Sequence, residues 1–274
     1  MRCGTTTMTR GKGDHRNHQA CRHGGSCGDG CGLRGASLQI HVQADAVMTE
    51  AGSTVRLTLI RHAEAVSNIE RVIRGEKTCT GLTERGREQT LHLATRLRAE
   101  DRQDPISAVY STRLARVRET AVPVARRLGL TVENSPGWRY FGYGAAEGMP
   151  WTALRRLRQE NPLLLRRDVP VAPGAETRSH YRASIRFALD HVISAHVGQH
   201  VVLFGSVENI TASAETLLGI PSNAKMTIDH TGITRWQIEP HPYSLGDWRA
   251  VLVAHNDTGH LSGALAVHCR ELGG

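Results

Sequence analysis

No run in this 274-residue chain approaches the ~18 consecutive apolar residues of a membrane-spanning helix, so no membrane is expected as a partner. The N-terminus lacks the apolar core of a secretory signal. Cysteine is scarce outside the first segment: of six, Cys3, Cys21, Cys27 and Cys31 lie early, leaving Cys79 and Cys269 for the remainder. That distribution excludes a disulfide framework and makes a reducing, cytoplasmic setting the expectation. Cys21, His23, Cys27 and Cys31 lack the paired C-x-x-C units that mark a zinc cluster, so no metal is expected either. A basic block is also missing. The formal charge is +8, yet the arginines are spread over helix-like stretches such as Arg155-Arg156-Leu157-Arg158. Solvated helix faces and an anion-binding site account for that balance, and no nucleic-acid partner is expected. Internal repeats are absent.

What is present is enough apolar residue, 39%, for one large domain. Residues 1–53 are rich in Gly, Arg, His and Thr, with only Leu38-Gln39-Ile40-His41-Val42 resembling a strand. They cannot bury enough apolar surface to offset their ordering entropy and are expected to be a disordered extension. Met48 is an alternative start, leading directly into the first strand. The folded domain is expected over 54–274.

After Ser53, strand-like and helix-like segments alternate, the pattern of an α/β fold with a mostly parallel sheet. Strands are expected at 55–60, 106–110, 201–204, 232–238 and 248–254. Helices are expected at 83–100 with Thr83 as N-cap, 114–128 ending at Gly129, 151–159, 176–196 and 210–218. The Gly-rich aromatic stretch 138–150 reads as a loop.

The first strand ends in Arg61-His62. A guanidinium offering paired hydrogen bonds beside an imidazole with a nucleophilic nitrogen can hold and attack a phosphate. A histidine that merely satisfies a backbone group at a strand end is the competing explanation. Context decides between them: Leu59-Ile-Arg-His-Ala-Glu-Ala-Val-Ser-Asn68 resembles the R-H-G-E-x-x-x-N signature of the histidine phosphatase superfamily. Gly75 to Gly86, with Leu82-Thr83, is similar to that family's next segment. Tyr110-Ser-Thr-Arg-Leu-Ala-Arg-Val-Arg-Glu-Thr-Ala121 resembles its Y-S-S-x-L-x-R-A-x-Q-T-A block, and Trp248 to Leu261 its closing N-D-x-x-H-L segment.

The resemblance implies a phosphoglycerate mutase-like three-layer αβα sandwich and a phosphohistidine mechanism without metal or cofactor. His62 would attack the phosphoryl group, with Arg61, Arg116 and Asn68 around its oxygens and Ser67, Glu64 and Arg74 lining the substrate side. The substrate would be a small phosphorylated or anionic molecule, and a homodimer is compatible with the reading. Three positions depart from the family pattern. Ser206 stands where a second histidine is expected, in Leu203-Phe-Gly-Ser-Val-Glu-Asn-Ile210. Tyr140 stands where the proton-donating Glu is expected, in Trp138-Arg-Tyr-Phe-Gly-Tyr-Gly-Ala-Ala-Glu-Gly148, and Glu147 or Glu208 is an alternative acid. Ala63 replaces a glycine, a change expected to narrow the pocket. A phosphatase or mutase with an altered acid, an enzyme of this fold turned to other chemistry, and a non-catalytic phospho-ligand binder all remain open at this stage.

Overall fold

The computed structural model describes residues 53–220, 226–240 and 247–266. The expectations for the N-terminal extension, its cysteines, the strand at Leu38–Val42 and the Met48 start lie outside the described residues, as does Cys269.

The sheet has six strands: β1 (Val55–Arg61), β2 (Ile106–Ser111), β3 (Val132–Glu133), β4 (His200–Gly205), β5 (Ile233–Pro240) and β6 (Trp248–Asp257). Their spatial order is β3-β2-β4-β1-β5-β6. The first four run parallel, while β5 and β6 extend the sheet antiparallel to β1 and to each other. Every residue of β4 is buried and all of β1 except Arg56, which is what a strand covered on both faces requires. Each fully enclosed Leu or Ile there contributes about 1.5–3 kcal/mol of apolar burial. Two of the buried polar residues, Thr58 and His200, satisfy each other across the strands, with Thr58 Oγ1 2.9 Å from His200 Nε2.

Helices α1 (Val66–Glu70), α2 (Glu84–Glu100), α3 (Ala115–Leu128), α4 (Trp151–Glu160), α5 (Arg178–Ala195) and α6 (Val207–Leu217) complete the fold. Helix α3 packs on β2 and β4 and against α2, whereas α6 packs on β1 and β4 and against α5. This is the expected αβα sandwich. Thr83 caps α2 by accepting from Gly86 N, and Gly129 ends α3 at φ +79°. Among the described residues no helix is long and apolar enough to cross a membrane.

Three local features differ from the sequence reading. Helix α6 begins at Val207 rather than Ile210, because the Ser206 N–H donates to Asn209 Oδ1 at 2.9 Å and starts the helix directly after the strand. The short α1 and the two-residue β3 carry too few periodic positions to stand out in sequence.

Candidate active site

The adjacent carboxyl ends of the parallel strands β1 and β4 set the site. Their register places Arg61 opposite Gly205, and His62 N donates to Gly205 O at 2.9 Å, so the residues leaving the two strands, His62 and Ser206, lie side by side. Ligands of parallel sheets bind beyond these carboxyl ends.

His62 is 3% exposed and its tautomer is set by its neighbours. Nδ1 lies 2.7 Å from Ala63 O, a carbonyl that can only accept, so Nδ1 carries the proton. Nε2 accepts from Arg116 Nε at 3.2 Å and therefore presents the lone pair. Burial, then Arg116, Arg61 and His230, hold the imidazole well below the ordinary histidine pKa, so it is neutral and nucleophilic.

Arg116, in the first turn of α3, is buried and makes no ion pair among the described residues. Its Nη1 donates to Arg74 O at 3.1 Å and lies 3.4 Å from Cys79 Sγ. A cation buried among neutral acceptors is costly unless an anion arrives to compensate it. Arg61 is 4% exposed and donates from Nη1 to Ile228 O and from Nη2 to His230 Nε2 at 3.1 Å.

These groups open into a cavity of about 580 Å³ that Ser67, Asn68, Arg74, Tyr140, Ser206 and Glu208 also line. Its outer wall is apolar, with Val72, Ile73, Trp151 and Leu154, and carries the guanidinium groups of Arg155 and Arg158. Burial and then Arg178 push the Arg158 pKa down.

Of the departures from the family pattern, Ser206 belongs to a hydrogen-bond network with Glu208 and Tyr143. Ser206 Oγ donates to Glu208 Oε2 at 2.6 Å and Tyr143 OH donates to Glu208 Oε1 at 2.8 Å. Burial alone would raise the Glu208 pKa, but hydrogen bonds from Ser206, its own backbone and Tyr143 outweigh it and leave the carboxyl below its usual range. Beside it, the Tyr140 hydroxyl is buried with no hydrogen-bond partner among the described residues. Burial, Glu208 and Glu147 raise its pKa, so it keeps its proton.

Two sequence-selected carboxylates and one methyl group fall elsewhere. Glu64 turns from the cavity to accept from Thr83 Oγ1 at 2.7 Å and to pair with Arg85 at 3.4 Å, because its backbone is gripped by the start of α2. That grip is close: a Cβ on Gly86 would stand 2.0 Å from Glu64 O. Glu147 lies over the Gly75 backbone, where a Cβ would come within 2.1 Å of its Oε1, and does not line the cavity. Ala63 packs with Ala65 and Leu82, so it does not narrow the pocket as expected.

A family model for the histidine phosphatase superfamily (branch 1) matches residues 57–251. The chain belongs to that superfamily. Among curated relatives, the probable phosphoglycerate mutase GpmB of Yersinia enterocolitica is 25% identical over 211 residues, covering 76% of this chain and 95% of that protein. Among solved structures, mycobacterial glucosyl-3-phosphoglycerate phosphatase with VO3 is 25% identical at TM-score 0.61, covering 73% of this chain and 98% of that one. A phosphoserine phosphatase mutant of Entamoeba histolytica with phosphoserine shares the fold at 21% identity and TM-score 0.62, covering 76% and 100%.

One residue of this histidine phosphatase site escaped the sequence reading. The His230 ring centroid lies 6.1 Å from that of His62. Because β5 runs antiparallel to β1, with Ile60 opposite Ile233, the residues entering β5 arrive at the end of β1 that bears His62. Only that pairing would have exposed His230, which stands in no recognised block.

Buried neutral histidines make the domain acid-sensitive. His62, His230 and His200 all have lowered pKa values, mainly through burial, and His260 is lowered to about 4 for the same first reason. Below the unfolded value of about 6.5 the unfolded chain takes up protons that the folded one refuses, at about 1.4 kcal/mol per pH unit for each such group. Urea midpoints should therefore be level above about pH 6.5 and fall progressively as pH drops below it. A midpoint unchanged between about pH 6.5 and 5 would contradict this.

Proposed function

We propose that this protein is a histidine phosphatase-like enzyme that takes the phosphoryl group of a small phosphomonoester onto His62 Nε2. The observation that carries the reading is the neutral, tautomer-locked imidazole facing a buried, ion-unpaired Arg116. In the first step the Nε2–P bond forms and the P–O ester bond breaks, while Arg61, Arg116 and Asn68 bind the equatorial oxygens and Tyr140 gives its proton to the departing alkoxide. In the second, water bonds to phosphorus, the Nε2–P bond breaks, and Glu208 accepts the water proton and passes it to the Tyr140 phenolate. The apolar wall and Arg155 and Arg158 favour a substrate with an apolar part and further negative charge. Phosphoserine and glucosyl-3-phosphoglycerate, named for the similar structures, are phosphorylated small molecules that carry further charge, though without an apolar part.

Incubation with a phosphate-labelled monoester, quenched in base, tests the reading. Wild type should carry an acid-labile label and His62→Ala none. A second reading, an enzyme of this fold turned to other chemistry, is favoured by one observation: at the position where the family resemblance expects an imidazole stands a serine whose hydroxyl is tied to the Glu208 carboxylate. Turnover of a substrate with no phosphoryl transfer would support it, and binding without either would mark a non-catalytic protein.

A further inference from the structure

We infer that His230 is a positioning residue for Arg61, and that the Asn256–His260 segment serves to hold His230 in place. The inference rests on the reading of Arg61 as a phosphate ligand.

The guanidinium of Arg61 is fixed on one side by two acceptors, Ile228 O and, at 3.1 Å, His230 Nε2. Because the arginine can only donate, His230 must offer a lone pair at Nε2 and carry its proton at Nδ1. That Nδ1 is buried and has no hydrogen-bond partner among the described residues. An apolar side chain filling the same space would leave no such donor unmet, so packing alone does not explain an imidazole here. His230 does not line the cavity, so its action on a ligand passes through Arg61.

The next residue is held against its own preference. Thr231 has φ +56°, a left-handed conformation that a β-branched residue seldom adopts. Its hydroxyl donates to His230 O at 2.7 Å and accepts from His260 Nε2 at 2.9 Å. Glycine would sit there without strain but could make neither bond. One residue before His230, Asp229 is gripped twice by Asn256, whose Oδ1 accepts from Asp229 N at 2.7 Å and whose Nδ2 donates to Asp229 Oδ2 at 3.0 Å. Asp257 is anchored in turn by Arg96 and Arg235. The closing N-D-x-x-H segment thus clamps both flanks of His230, and His230 sets the plane of Arg61.

Calorimetry with inorganic phosphate on the full chain tests this without requiring turnover. His230→Leu should weaken phosphate binding about 30-fold, while His230→Gln, whose amide oxygen can still accept from Arg61, should stay within about 3-fold of wild type. Thr231→Gly should weaken binding about 10-fold with Tm within about 5 °C of wild type, because relief of strain offsets the lost side chain. A merely structural role predicts that Gln and Leu variants lose Tm together and bind phosphate alike. Equal impairment of the two, or wild-type affinity in His230→Leu or Thr231→Gly, would overturn the proposal. Failure of wild type to bind phosphate would remove Arg61 from the ligand site and the proposal with it. Phosphate binding without a phosphohistidine would instead sink only the catalytic reading.

Discussion

Replacing His62 with asparagine is expected to lower kcat for phosphomonoesters by at least about 10⁴-fold, or about 5.5 kcal/mol of transition-state stabilisation. The amide has no nucleophilic nitrogen, so the covalent step has no route, whereas Arg61, Arg116 and Asn68 are untouched. Phosphate affinity should stay within a few-fold of wild type. Paired measurement of kcat and phosphate dissociation separates the two effects, and turnover within tenfold of wild type would show that the nucleophile lies elsewhere.

Arg116→Leu should lower kcat/KM by about 10³-fold, close to 4 kcal/mol, because it removes the buried cation that meets the charge spreading over the transferring phosphoryl group. Lysine at the same place should recover no more than about tenfold. Its single ammonium cannot copy a guanidinium that reaches His62 Nε2 through Nε and Arg74 O through Nη1. The stability change should have the opposite sign. Arg116 makes no direct ion pair among the described residues, and its charge reaches the Glu208 carboxylate only electrostatically, so removing this buried cation should leave Tm unchanged or raise it. A large loss of Tm together with activity would mean that the side chain mainly holds the fold.

The fold was readable because β1 and β4 are long apolar runs and the helices between them keep their period and caps, Thr83 and Gly129 among them. His62, Arg61 and Arg116 were readable for a different reason: the strand exit at Arg61-His62 and the block holding Arg116 resemble ordered motifs of the histidine phosphatase superfamily. What failed was direction. Glu64 and Glu147 occupy the right segments, but Glu64 turns to Thr83 and Arg85 and Glu147 packs over Gly75 outside the cavity lining, and no pattern of residue types tells which way a loop side chain turns. His230 failed for a third reason, since its position depends on the antiparallel pairing of β5 with β1, a contact between residues 173 apart in the chain at Ile60 and Ile233. The Ser206–Glu208–Tyr143 bonds likewise join a helix start to a distant loop.

The contact between Gly86 and the Glu64 carbonyl reaches beyond packing. Glu64 N donates to Gln89 Oε1 and Glu64 O accepts from Thr83 N, so the start of α2 forms the bed on which the chain beside His62 lies. Ala63 O, which dictates the protonation pattern of the imidazole, belongs to that same stretch. Laboratory evolution that varied only residues lining the cavity would overlook this bed, although shifts of a few tenths of an ångström at positions 83–89 would retune the His62 imidazole from behind.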